Sequence, residues 1–131
     1  MVRTRQWWRA KAGFLISLLA CCLTIYSVDV LLGAKLLGLA LVAIFGIGTL
    51  GHIINDWSDV EDDKKAKKSN TLEFLSTPAR WLMLLAAIAL GHLPWFIGFA
   101  PTKVIITLLV IETGLFVLYS VPPLKLKRVP M

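Results

Sequence analysis

Between Gly51 and Asp63 the chain reads Gly-His-Ile-Ile-Asn-Asp-Trp-Ser-Asp-Val-Glu-Asp-Asp, with five acidic side chains in the eight residues from Asp56 to Asp63. On a continuous helix Asp56, Asp59 and Asp63 recur at spacings of three and four, so they share one face, with Asn55 beside them. Carboxylates gathered there repel one another and raise each other's pKa values unless a cation lies among them. A hard divalent ion meets that need. Magnesium prefers oxygen ligands, keeps several waters and commonly bridges one or two carboxylates to phosphate oxygens, so the pattern points to a magnesium-bridged diphosphate held by Asp56, Asp59 and Asp63. Asn55 would add an amide ligand or orient one. The competing reading is a solvated, negative helix end balanced by Lys64, Lys65, Lys67 and Lys68.

The elements that position these residues follow from composition. The 131 residues are 57% hydrophobic and 17% charged, with a mean hydropathy of +0.75, too apolar for an ordinary soluble domain. Stretches such as Leu82–Leu90 and Val104–Ile111 are apolar on every face, which makes lipid the expected solvent. A helix rising about 1.5 Å per residue needs roughly 20 apolar residues to cross a hydrocarbon core about 30 Å thick. Four segments qualify: Ala12–Leu31, Lys35–Ile54, Trp81–Phe99 and Lys103–Ser120. The expected fold is therefore all-α, an integral membrane helical bundle of four transmembrane helices with a motif loop over residues 55–80. The joints at Leu32 to Ala34 and at Ala100 to Thr102 are short, so each flanking pair reads as an antiparallel hairpin.

Charge sets the expected orientation. Twelve of the fourteen Lys and Arg residues lie in the N-terminal tail, between Lys64 and Arg80, or at Lys125, Lys127 and Arg128; only Lys35 and Lys103 lie in the opposite joints. The positive-inside rule then puts both termini and the motif loop in the cytoplasm of a multi-pass cell-membrane protein. Trp7, Trp8, Trp57 and Trp81 fall at the expected cytoplasmic interface and Trp95 near the outer one. Because the basic residues flank apolar spans, the net charge of +6 gives no reason to expect nucleic acid as a partner. The apolar run after Lys11 is too long for a signal-peptide core, and Leu32-Gly-Ala34 is only a weak cleavage signal. Adjacent Cys21 and Cys22 suit neither a loop-closing disulfide nor a zinc site and read as packing residues.

Asn55-Asp-x-x-Asp59-x-x-x-Asp63 at the end of the second span resembles the first signature of the UbiA superfamily of intramembrane prenyltransferases. Leu118-Tyr-Ser-Val-Pro-Pro-Leu-Lys-Leu-Lys-Arg128, after the fourth span, is similar to that family's Tyr-Ser-x-Pro-Pro-Leu-Arg/Lys-x-Lys-Arg segment. The resemblance implies an enzyme that binds a polyprenyl diphosphate through magnesium, ionises it to an allylic cation and passes the prenyl group to an aromatic or other acceptor. It implies metal ligation by Asp56, Asp59 and Asp63, with Asn55, Lys67, Lys68, Tyr119 and Ser120 available to the diphosphate.

The resemblance spans the whole chain but only about the first half of a family member. The family's second aspartate motif has no counterpart here, so the expected complement is a C-terminal half or a second chain. The family usually follows its first motif with Asn-x-Pro-x-Arg-Pro, whereas this chain has Lys64-Lys-Ala-Lys-Lys-Ser-Asn-Thr71, with Asn70 at the arginine position. Lysine supplies charge to a phosphate but not arginine's bidentate geometry, and these lysines equally serve to fix topology. His52, one turn before Asp56, reads as interfacial or as facing the site. Glu112 inside the fourth span is a functional candidate by default. Two other functions stay open: a non-catalytic membrane partner subunit, and a small four-span transporter, which the lack of a glutamate within the first span disfavours, Asp29 lying near its outer end.

Overall fold

The computed structural model describes residues 13–14, 16–18, 20–98 and 102–126. Among them the chain is all-helical: a short apolar helix α1 (Ile16–Ile25), then α2 (Val30–Lys65), α3 (Thr77–Gly98) and α4 (Lys103–Ser120). The last three are long and apolar enough to cross a membrane. Trp7, Trp8, the basic tail, Phe99 to Pro101, Lys127 and Arg128 lie outside the described residues.

The first joint is not where hydropathy alone places it. The turn falls at 26–29 rather than at Leu32 to Ala34, and α2 begins at Val30. The reason is a cap. The Asp29 carboxylate accepts from the backbone N–H groups of Leu31 (2.9 Å) and Leu32 (3.1 Å), satisfying donors that a helix start otherwise leaves unpaired. Ser27, with φ 49, reverses the chain just before it. Asp29→Ala is expected to cost about 0.5–1 kcal/mol and to fray the first turn of α2, visible as faster amide exchange at Leu31 and Leu32. Unchanged exchange there would show that the cap contributes nothing.

A second boundary also moves. The motif does not lie in a loop: α2 runs unbroken for 36 residues, carrying residues 55–65 as helix, and residues 77–80 already belong to α3. At 1.5 Å per residue α2 is about 54 Å long, so roughly 24 Å of it extends beyond a hydrocarbon core about 30 Å thick. Its polar part is the acidic end.

Small residues let α3 lie close against α2. Ala43, Gly46, Leu50, Ile53 and Val60 are buried along α2 at spacings of three, four and seven, and Ala87, Gly91 and Pro94 form the facing stripe on α3. That periodicity suits helices crossing at a shallow angle. Leu39 lies near Gly98, Gly46 against Gly91, and Trp57 against Trp81, so the two helices are antiparallel. The Trp57 and Trp81 rings meet edge to face, 5.0 Å apart. Gly51 of α2 meets Phe116 of α4, and the acidic end of α2 meets Lys125, so α4 runs parallel to α2. The apolar core of Leu50, Ile53, Val60, Leu72 and Ala87 draws the 66–76 connection in through Leu72.

Outward surfaces of α3 and α4 are apolar: Leu82, Ile97, Val104 and Val110 are each about two-thirds exposed. Such surfaces suit lipid, because each helix satisfies its backbone hydrogen bonds internally. Cys21 and Cys22 are exposed thiols on α1, so the packing role expected of them is not seen among the described residues.

Candidate functional site

Continuation of α2 through Asp63 puts the acidic side chains on a rigid element, as the spacing required. At about 100° per residue, Asp56, Asp59 and Asp63 lie within about 60° of one another, and Asp62 sits further round, next to Asp59. Two neighbours approach this surface. Just after α4, Lys125 brings its ammonium to Asp59 Oδ1 (3.0 Å) and Asp62 Oδ2 (2.7 Å) and donates to the Ser58 carbonyl (3.4 Å). From the α2–α3 connection, the Asn70 amide donates to Asp63 Oδ2 (2.9 Å) and to the Asp56 carbonyl (2.8 Å). Its own oxygen accepts from Leu72 N–H (2.9 Å). Lys125 and Asn70 are buried, and the Asp59 side chain is only 20% exposed.

The three signature carboxylates share a helix face but do not converge on a point. Among the described residues no group of three or more Asp, Glu, His or Cys side chains is gathered closely enough to hold a metal ion. The physical reason is that mutually repelling carboxylates separate toward whatever donors are present, here Lys125 for Asp59 and Asn70 for Asp63. The Asp56 carboxylate takes no hydrogen bond or ion pair among the described residues. Carboxylate and carbonyl oxygens instead surround one positive charge, the Lys125 ammonium.

No family model, curated protein or solved structure matches this chain.

The remaining candidates are placed less centrally. Asn55 is half-buried and its carbonyl accepts from the Ser58 hydroxyl (2.8 Å). Lys67 and Lys68 are exposed beyond the helix end, where their backbones close it: Lys67 N–H donates to the Lys64 carbonyl and Lys68 N–H to the Asp63 carbonyl. This pairing is a Schellman motif, with Lys67 (φ 52) in the left-handed position that glycine usually fills. Tyr119 is exposed and Ser120 is buried at the last residue of α4. His52 is half-buried one turn before Asp56.

Three residues join the site that the motif reading left out. Asp62 carried a signal, since it lies three residues after Asp59. Lys125 lies in the Leu118–Arg128 segment, where the sequence marks it only as one of the basic residues that set topology. Asn70 was visible only as a departure from the family pattern, and its burial under the acidic end depends on the path of the connection.

An apolar trough of about 590 Å³ lies along α4 against α3, lined by Phe96, Ile106, Leu109, Val110 and Leu118 among others. His92 and Thr113 are its polar members. The Ile88 carbonyl can only accept, so His92 Nδ1 donates to it (2.9 Å), and Nε2 lies within hydrogen-bond reach of the Thr113 hydroxyl (3.2 Å). The lining continues to Leu118, close to the end of α4 that carries Lys125 toward the acids.

Proposed function

We propose that the chain is the N-terminal half of a UbiA-type intramembrane prenyltransferase, a four-span bundle in the cell membrane with both termini and the acidic end of α2 in the cytoplasm. Its reaction would transfer a prenyl group from a polyprenyl diphosphate to an aromatic or other acceptor. The observation that supports this best is that two separate signature segments meet around one cation. Lys125 of the second segment sits in an oxygen cage made by Asp59, Asp62 and the Ser58 carbonyl of the first.

In this reading Asp56, Asp59 and Asp63 hold magnesium, and Asn55 orients the carboxylate beside it. Magnesium, when bound, offsets the negative charge of the departing diphosphate. Lys67, Lys68, Tyr119 and Ser120 are the groups available to the diphosphate beyond the helix ends. The trough between α3 and α4 has the apolar lining an isoprenoid tail requires. The second aspartate motif would come from a further segment or a second chain.

The test is magnesium-dependent binding of a prenyl diphosphate to the full chain in nanodiscs. Outer-sphere changes at metal sites cost roughly 10- to 100-fold in affinity, so Asp56→Ala and Asp59→Ala are each expected to weaken binding by at least that much. Equal binding by wild type and both variants would sink the site assignment. A non-catalytic membrane partner is the second reading, favoured by a carboxylate pair whose charge is already partly neutralised from within. Absence of magnesium-dependent binding in all three proteins would support it.

A further inference from the structure

We propose that the connection between α2 and α3 is a docking surface for anionic phospholipid headgroups, with Lys64, Lys65, Lys67 and Lys68 on the lipid phosphates and Phe74 inserted in the bilayer interface. The inference rests on α2 and α3 crossing a membrane and is independent of the reaction proposed above.

Charge is the first observation. Four lysines fall between Lys64 and Lys68, and all four are exposed. Their ammoniums enter no ion pair among the described residues, although acids precede them on α2. Those acids turn inward: Asp59 and Asp62 pair with Lys125, and Asp63 takes the Asn70 amide. The lysines are therefore left to face outward, on a turn fixed by the left-handed backbone of Lys67.

Phe74 is the second, independent observation. The connection is anchored around it: Leu72 lies in the core, Leu75 N–H donates to the Leu72 carbonyl, and Arg80 Nε donates to the Leu75 carbonyl (3.1 Å). A backbone held in this way still presents Phe74 outward, 86% exposed. The level is suitable as well. With Trp57 and Trp81 at the interface, where indoles collect, Lys65 lies about 12 Å and Thr77 about 6 Å above that pair at 1.5 Å per residue. Lysine stems extend from there toward a headgroup layer about 5–8 Å thick. A soluble diphosphate offers the same phosphate chemistry to the lysines but nothing to Phe74. A bilayer interface offers both, so the aromatic ring selects lipid.

Two measurements on the full chain in nanodiscs test the surface. In the first, electron paramagnetic resonance compares the association of spin-labelled phosphatidylglycerol and phosphatidylcholine with the protein. A lysine near an anionic surface contributes roughly fivefold. The chain carrying Lys64→Gln, Lys65→Gln, Lys67→Gln and Lys68→Gln together is therefore expected to lose at least about fivefold of the wild-type preference for the anionic probe. In the second, a nitroxide is placed at Phe74→Cys or at exposed Ser69→Cys, each combined with Cys21→Ser and Cys22→Ser. The label at 74 is expected to collide more with oxygen and less with a water-soluble nickel chelate than the label at 69. An unchanged lipid preference in the quadruple variant, or equal chelate access at 74 and 69, would overturn the docking surface. Displacement of the anionic probe from wild type by inorganic diphosphate would assign the lysines to soluble phosphate and overturn it equally. Magnesium-dependent binding of prenyl diphosphate, with its loss in Asp56→Ala, is a separate readout, so either reading can fail while the other stands.

Discussion

Gly46→Ala is expected to force α2 and α3 apart and to destabilise the bundle more than any other single-methyl change. A Cβ at Gly46 would collide with the backbone of Leu90 and Gly91, and it would lie 2.6 Å from the Gly91 Cα. Those atoms belong to a helix backbone and cannot swing aside as a side-chain tip can. Overpacking a close contact typically costs about 1–3 kcal/mol, and this site belongs at the upper end because relief requires moving a whole helix. The helices gain nothing from exchanging lipid for one another except packing and hydrogen bonds, so lost proximity is not recovered elsewhere. Gly38→Ala is the matched control. Nothing lies within 4 Å of a Cβ there, so it should be neutral, or stabilising by up to about 1 kcal/mol through helix propensity. Unfolding of both variants in mixed micelles, followed by circular dichroism, measures the contrast. Equal stabilities would mean that the close crossing at Gly46 is not a feature of the folded chain.

The second large effect is expected at Asn70. One buried side chain donates to Asp63 and to the Asp56 carbonyl and accepts from Leu72 N–H. Hydrogen bonds of this kind are worth about 0.5–1.5 kcal/mol each, and more to a charged group, so Asn70→Ala is expected to cost about 2–4 kcal/mol locally. The 66–76 connection should then loosen while α3 and α4 persist. Asn70→Asp should be worse, because it exchanges the amide donor for a carboxylate facing Asp63. Limited proteolysis within 66–76 reads the outcome: faster cleavage in Asn70→Ala and fastest in Asn70→Asp. Cleavage at the wild-type rate in both would show that Asn70 does not hold the connection.

Gly46 and Asn70 show how far pattern reading reaches. The glycines of the second span are legible as small residues suited to close packing, but which of them meets a neighbour is not. Gly46 touches α3, Gly51 meets Phe116 and Gly38 meets nothing. Asn70 could be read only as a mismatch, because its role depends on where the connection folds back. The joint before α2 departs from its hydropathy position for a different reason. Hydropathy averages over many residues, whereas a cap acts through one, and Asp29 sits between two apolar stretches that an average runs together. Span lengths leave residues 55–80 outside the apolar segments, yet helical hydrogen bonding continues through the acidic end of α2 until the backbone turn at Lys67 stops it.

By itself the sequence determined that the chain is helical, that its long helices are apolar enough for a membrane, and that acids gather on one helix face. These are local properties, set by composition and by periods of three and four residues. Tertiary structure alone decided which partner each acid takes. Lys125 reaches Asp62 across 63 positions of the chain, and only the parallel placement of α4 beside α2 brings them within 2.7 Å. A charge's partner is set by distance in space, and no local pattern encodes how two helices are aligned end to end.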